Sequence, residues 1–172
     1  MVEIDLQIDD EFVGNIDEEA LCAAVRETLH QQDVARASVT IVITDDATVH
    51  ELNRTFRDVD GPTDILSFPN QEMVGADEGD AASLPSTPQL ILPPELREVQ
   101  NSYLGDLIIS FPYTQRQAIA LGRPLEAELV LLVIHGTLHL LGYDHADVQE
   151  EAAMWALQNQ VLAALGHTPV TP

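Results

Sequence analysis

Residues 129–145 read LVLLVIHGTLHLLGYDH, and they constrain the fold more than any other part of the chain. The stretch opens on an apolar run and then places three histidines close together. Pro124 stands before it, where the first turn of a helix tolerates proline, and Gly142 can end a helix in a left-handed conformation. We therefore predict one helix that runs to about Leu141. Because it is apolar nearly all round, it should be the central, buried helix of the fold.

Hydrophobic periodicity on both sides of this helix predicts further strands and helices. Strands are expected at 2–8, 38–44, 63–68 and 104–110, and helices at 112–121, at 147–165, and after the N-caps Asp17 and Asp45. The helix after Asp45 should place Val49, Leu52 and Phe56 on its inner face. The pattern indicates one α/β or α+β domain over residues 1–172, with about four strands and about five helices. Residues 70–100 are rich in proline and acidic residues, and we interpret them as a surface insertion.

Composition limits the kinds of function that are possible. The 172 residues include 29 acidic and 7 basic ones, for a formal charge of −22, and every basic residue is an arginine. This balance argues against a broad phosphate-binding surface. The single cysteine, Cys22, excludes an internal disulfide. The N-terminus lacks the features of a secretory signal and no apolar run could span a bilayer, so a soluble, cytoplasmic protein without membrane contact is expected.

The histidines predict a metal site. His135 and His139 are four residues apart, so on a helix they lie about 6 Å apart along the axis and about 40° apart in rotation. Gly142 then allows the chain to turn back and bring His145 to the same point. Three nitrogen ligands leave one position of a tetrahedral zinc ion open, which is typical of catalytic sites. We predict one zinc ion per chain, held by His135, His139 and His145.

Other interpretations of these histidines remain open. They could be ordinary core or surface residues, or a structural site that Asp144 closes; Asp144 could also orient an imidazole or simply form a turn. The spacing H-x-x-x-H-x-x-G-x-x-H matches the zinc signature of the metzincin peptidases. Those enzymes have a glutamate general base directly after the first histidine, where this chain has Gly136. A reaction other than peptide hydrolysis is therefore favoured.

Three blocks of the sequence resemble one known family. HGTLHLLGYDH (135–145) closely resembles the signature of the YbeY family of metal-dependent endoribonucleases. LNRTFRDVDGPTDILSFP (52–69) is similar to that family's arginine-containing segment, and LGDLIIS (104–110) to the strand that follows it. The order and spacing of the blocks match from about Val2 to Leu165.

The resemblance implies an α+β fold with a small mixed sheet and helices on its faces. It also implies that His135, His139 and His145 bind the metal and that Arg57 is the functional arginine. The implied activity is cleavage of single-stranded RNA in ribosomal RNA maturation and ribosome quality control. Ribosomal RNA would be the substrate, and ribosomal proteins of the small subunit would be further partners.

The predicted mechanism is metal-assisted phosphodiester hydrolysis, in which Arg57 holds a phosphate and stabilises transition-state charge. Because the chain is so acidic, its arginines must be concentrated in the substrate groove, and the candidates are Arg54, Arg57, Arg116 and Arg123. The nucleophile, water or a ribose 2′-hydroxyl, is left open. Phe68, Phe111 and Trp155 are expected in the core rather than as base-stacking platforms. Asp64 and Asp106 are expected to be turn or capping residues first.

Two functions other than RNA cleavage are also compatible with the sequence. A zinc metallopeptidase-like hydrolase would use the same histidines, and Gly136→Glu would test whether only its base is missing. A non-enzymatic, metal-stabilised ribosome-assembly factor would work by binding, with its acidic surface docked on basic ribosomal proteins.

Overall fold

A computed structural model describes residues 1–70 and 102–170 of the chain. Its elements in chain order are β1 (Val2–Ile8), a 3₁₀ turn (Asp10–Phe12), α1 (Glu18–Gln31), β2 (Ala37–Thr44), α2 (Asp46–Arg57), β3 (Ile65–Pro69), β4 (Tyr103–Ser110), α3 (Phe111–Leu121), α4 (Leu125–Leu140) and α5 (Val148–Ala164). The predicted strands and helices are all present, and their boundaries differ from the prediction by at most two residues. The predicted insertion at 70–100 lies, apart from Asn70, outside the described residues.

The strands form one mixed sheet in the order β1-β2-β4-β3. β1, β2 and β4 are parallel, whereas β3 runs antiparallel to β4. α1 makes the crossover between β1 and β2 that a parallel pair requires. The α+β class and the small mixed sheet are therefore confirmed. Within the described part of the chain β3 is an edge strand, so no described strand pairs with the outer side of its backbone.

Side-chain caps fix where the helices begin. The carboxylates of Asp17 and Asp45 accept hydrogen bonds from the backbone N–H groups of Ala20 and Thr48, as predicted for N-caps. Asp147 caps α5 in the same way. These bonds satisfy donors that the first turn of a helix leaves without partners.

α4 is the central helix, as its composition predicts. It packs against the sheet on one side and against α1, α3 and α5 on the others. Its buried residues lie all around the axis rather than on one face. The one buried acid, Glu128, accepts hydrogen bonds from Gln117 and Arg123, which offset its desolvation. No helix in the described part of the chain combines the length and apolarity that crossing a bilayer needs.

Gly105 allows β3 and β4 to approach closely. Its φ is +136°, and a Cβ at this position would lie 2.1 Å from the carbonyl oxygen of Phe68. Only glycine can occupy such a place without moving the backbone. The LGD block of the sequence is thus explained by sheet packing.

The prediction for Phe56 was wrong. Val49 and Asn53 are buried on the inner face of α2, but Phe56 is 64% exposed. α2 packs on β3 and β4, and β3 is the last strand of the sheet. Periodicity reports which side of a helix faces inward, but it does not report where the sheet beneath the helix ends. The last turn of α2 therefore leaves its apolar residue in solvent.

Candidate metal centre and substrate cleft

The three predicted histidines come together at the C-terminal end of α4. His135 and His139 occupy successive turns, with ring centroids 4.5 Å apart. Gly142 follows with φ +98°, and the backbone N–H of Tyr143 bonds to the carbonyl of Leu138. This left-handed turn brings the His145 ring to 5.7 Å from His135 and 5.1 Å from His139. One ligand atom from each histidine lies within 4.8 Å of the others, so the triad can hold a metal ion.

Hydrogen bonds on the far side of two rings set their tautomers. The Nδ1 of His139 lies 2.9 Å from the carbonyl oxygen of Tyr143, and the Nδ1 of His135 lies 2.6 Å from the Oε1 of Gln158. Both partners are acceptors, so each Nδ1 carries the proton and each Nε2 keeps its lone pair. The two Nε2 atoms lie 3.0 Å apart. Two lone pairs this close repel unless a proton or a cation lies between them, so the donor set fits a metal ion.

Burial favours the neutral form of the His135 and His139 imidazoles. Desolvation lowers the pKa of His135 below its usual 6.5, although the hydrogen bond that His135 donates to Gln158 and the nearby Asp64 carboxylate act in the opposite direction. Desolvation also lowers the pKa of His139, with a smaller contribution from the neighbouring His135 and His145. Metal ligation requires deprotonated nitrogens, so both shifts favour binding at neutral pH.

Gln158 is a member of the site that the sequence did not reveal. It lies on α5, is 1% exposed, and reaches His135 across the interface between α5 and α4. A signal was present: Gln158 is the one polar residue on the buried face that α5 forms with Met154, Val161 and Leu162. A buried amide needs a partner, and here the partner is a histidine of the candidate metal site.

The structure explains why glutamate cannot follow the first histidine. A Cβ on Gly136 would lie 2.7 Å from a methyl group of Leu107 and 2.8 Å from one of Ile65. Position 136 therefore faces the sheet, and a side chain there would not point toward the histidines. Gly136→Glu is thus no test for a missing base, because the variant would disrupt the packing of α4 on β3 and β4. Asp144, in turn, accepts the backbone N–H of His145 as a turn residue and is not part of the ligand cluster.

The triad forms one wall of a cleft of about 780 Å³. The segment from the end of α2 to β3 also lines this cleft, and it includes Arg57 and Asp64. The carboxylate of Asp64 is held by the backbone N–H of Ile65 and by the side chain of Gln117. Asp106 instead accepts a hydrogen bond from Tyr103 and does not line the cleft. Of the two aspartates considered from the sequence, Asp64 is the one near the histidines.

Arg57 is the basic residue that the fold places in the cleft. Its guanidinium donates to the carbonyl oxygen of Ser67 on the outer edge of β3, and it forms no ion pair with any described residue. The other candidate arginines are engaged elsewhere: Arg54 pairs with Glu51, Arg116 with Asp46, and Arg123 with Glu128. Arg57 therefore keeps donors available toward the cleft.

Comparison with known proteins places these features in a family. The family model described as Endoribonuclease YbeY matches residues 4–166. A Roseiflexus castenholzii protein named Endoribonuclease YbeY is 40% identical over 165 residues, which cover 95% of this chain and 92% of that protein. A Rhodococcus jostii protein of the same name is 36% identical, with coverage of 91% and 79%.

A solved structure shares the fold. The solution structure of TM1509 from Thermotoga maritima superposes with a TM-score of 0.53 at 22% identity, and covers 95% of this chain and 91% of that one. The family match spans the cleft, the triad and the described elements from Ile4 within β1 to the end of α5. The chain therefore belongs to the YbeY family of endoribonucleases.

Proposed function

We propose that this chain is a zinc-dependent endoribonuclease that cuts single-stranded RNA during ribosomal RNA maturation in the cytoplasm. One observation carries the proposal. Three imidazole rings converge in a cleft, and an arginine without a carboxylate partner among the described residues lines the same cleft. The names of the relatives and the family model support RNA as the substrate.

His135, His139 and His145 would hold the ion, and their nitrogen-only donor set suits zinc. When bound, zinc supplies Lewis acidity toward a phosphate oxygen. Gln158 and the carbonyl of Tyr143 hold two of the rings in the tautomer that ligation needs. These contacts keep the ligands in place before substrate arrives.

Arg57 would bind the scissile phosphate. A guanidinium pairs well with phosphate oxygens, and its positive charge would stabilise the additional negative charge of the transition state. Ser67 holds the guanidinium from behind through its carbonyl oxygen, which fixes its direction without neutralising its charge. The backbone of Ile65 and the side chain of Gln117 fix the carboxylate of Asp64. Asp64 would in turn orient polar atoms that line the same side of the cleft as Arg57.

The charge of −22 is compatible with this role if RNA contacts are local. Ion pairs occupy Arg54, Arg116 and Arg123 outside the phosphate site, so Arg57 would supply the main phosphate contact. We propose that the acidic surface docks on basic ribosomal proteins of the small subunit, which would deliver the enzyme to its RNA. Long-range attraction to free RNA would then be unnecessary.

The test is cleavage of a labelled single-stranded RNA by zinc-loaded wild type, His139→Ala, Arg57→Ala and Arg54→Ala, with zinc measured in each sample. Arg54 is the matched control, because it is an exposed arginine on the same helix whose partner lies outside the cleft. We expect the wild type and Arg54→Ala to bind about one zinc per chain and cut. His139→Ala should lose both properties, and Arg57→Ala should keep zinc but not cut. Zinc without cleavage in the wild type would favour the assembly-factor alternative.

A further inference from the structure

The last turn of α2 presents an aromatic ring to solvent, next in the chain to Arg57, which lines the cleft. Phe56 is 64% exposed and contacts Phe68 edge to face, with ring centroids 5.6 Å apart and an interplanar angle of 72°. Phe68 itself is half-buried on β3, so it was only partly a core residue as predicted. The half-buried Phe68 ring holds the Phe56 ring in a defined orientation and leaves one face of Phe56 available.

Arg57 connects this aromatic pair to the cleft. The carbon of its guanidinium lies 5.7 Å from the centroid of the Phe68 ring, a cation–π contact, and Arg57 lines the same cleft as the histidines. Phe56 precedes Arg57 directly in the chain. A phosphate bound by Arg57 would therefore lie close to an exposed aromatic ring.

We propose that Phe56, supported by Phe68, is a stacking platform for an unpaired nucleobase of the RNA whose phosphate Arg57 holds. The proposal rests on the proposed function and specifies its substrate. Proteins that bind single-stranded RNA pair phosphate contacts with aromatic side chains on which bases stack. A base that is already paired in a duplex cannot reach such a ring, so the platform selects single strands.

The acidity of the chain strengthens this choice of ligand. RNA held by phosphate contacts alone would bind weakly to a protein with a charge of −22. Stacking involves no net charge on the base, so the surrounding carboxylates do not oppose it. A nucleobase on Phe56 thus adds affinity where additional phosphate contacts would add little.

The experiment measures binding and cleavage of short single-stranded RNAs by the full-length, zinc-loaded protein. Each RNA carries either the fluorescent adenine analogue 2-aminopurine or an abasic site at one position. Phe56→Ala is compared with wild type and with Phe56→Tyr, which retains a ring. Ile119→Ala is the matched control, because Ile119 is 77% exposed on α3 and lies outside the cleft.

We expect Phe56→Ala to bind about tenfold more weakly, within the range for removal of an aromatic platform. The KM should rise with little change in kcat, and Phe56→Tyr and Ile119→Ala should behave like wild type. In the wild type, 2-aminopurine at one position should be quenched on binding, and an abasic site there should weaken binding. Both effects should disappear in Phe56→Ala.

Three results would overturn the proposal. Phe56→Ala could bind like wild type, or it could lose the same affinity for intact and abasic RNA, which would mean that the ring contacts something other than a base. If the wild type neither binds nor cuts any of the RNAs, the proposed function fails first and the platform fails with it.

Discussion

Replacement of Gln158 by leucine should weaken metal binding without unfolding the protein. Gln158 is 1% exposed, and its Oε1 lies 2.6 Å from the Nδ1 of His135. Leucine is similar in size but offers no acceptor, so the Nδ1 proton loses its partner in a buried place. His135 can then move its proton to Nε2, the atom that should bind the ion, and each metal-binding event must reverse that change.

The size of the effect follows from the position of the contact. Loss of a residue that orients a metal-bound histidine typically lowers affinity 10- to 100-fold, which corresponds to about 1.4–2.8 kcal/mol. The metal-free protein should lose about 1–3 kcal/mol of unfolding free energy, because a buried donor is left without a partner. Gln158→Glu keeps an acceptor at this place and should retain most of the metal affinity.

The assay is competition for zinc between each variant and a chelator of known affinity, together with thermal unfolding with and without zinc. Asn159→Leu is the control, because Asn159 is adjacent on α5 and bonds only to the backbone of Val170. That variant should lose some stability and no zinc affinity. A folded Gln158→Leu protein whose zinc dissociation constant stays within twofold of wild type would refute the reasoning.

Further predictions concern packing, catalysis and pH. Gly136→Ala should lower the free energy of unfolding by about 1–3 kcal/mol in urea titrations, because its Cβ would overlap methyl groups on β3 and β4; an unchanged midpoint would contradict the close packing. Arg57→Ala should reduce kcat/KM on single-stranded RNA by about 10²–10³-fold, as for loss of a group that stabilises transition-state charge. The amount of bound zinc should not change. Arg54→Ala should leave kcat/KM unchanged. The folded-state pKa values of His135 and His139 lie below 6.5, so the unfolded chain binds more protons below that pH. The two neutral histidines therefore contribute stability to the metal-free protein that is fully present above pH 6.5. This stability is lost as the pH falls toward their folded-state pKa values. The urea concentration at the midpoint of unfolding should therefore decrease as the pH is lowered, and the decrease should be smaller in His139→Gln.

Local rules were sufficient for much of the molecule. The caps Asp17 and Asp45, the strand at 2–8 and the glycine that ends α4 depend on neighbours within a few residues, and all were predicted correctly. The histidine triad belongs to the same class. Helical spacing joins His135 to His139, and one left-handed turn brings back the third ring, so no distant contact is needed to assemble the site.

The tertiary structure decided everything that depends on contacts between elements distant in sequence. α4 is apolar almost all round, so its periodicity could not show that Gly136 faces the sheet or that α5 would supply Gln158 to His135. Arg57 shares a cleft with the histidines because α2 ends beside β3, the last strand of the described sheet, and this position also leaves Phe56 exposed. The sequence alone thus determined the candidate ligands and the local geometry of the histidine triad. Packing determined its supporting contacts and the residues that share its cleft, because such contacts depend on where helices lie against the sheet and not on their own periodicity.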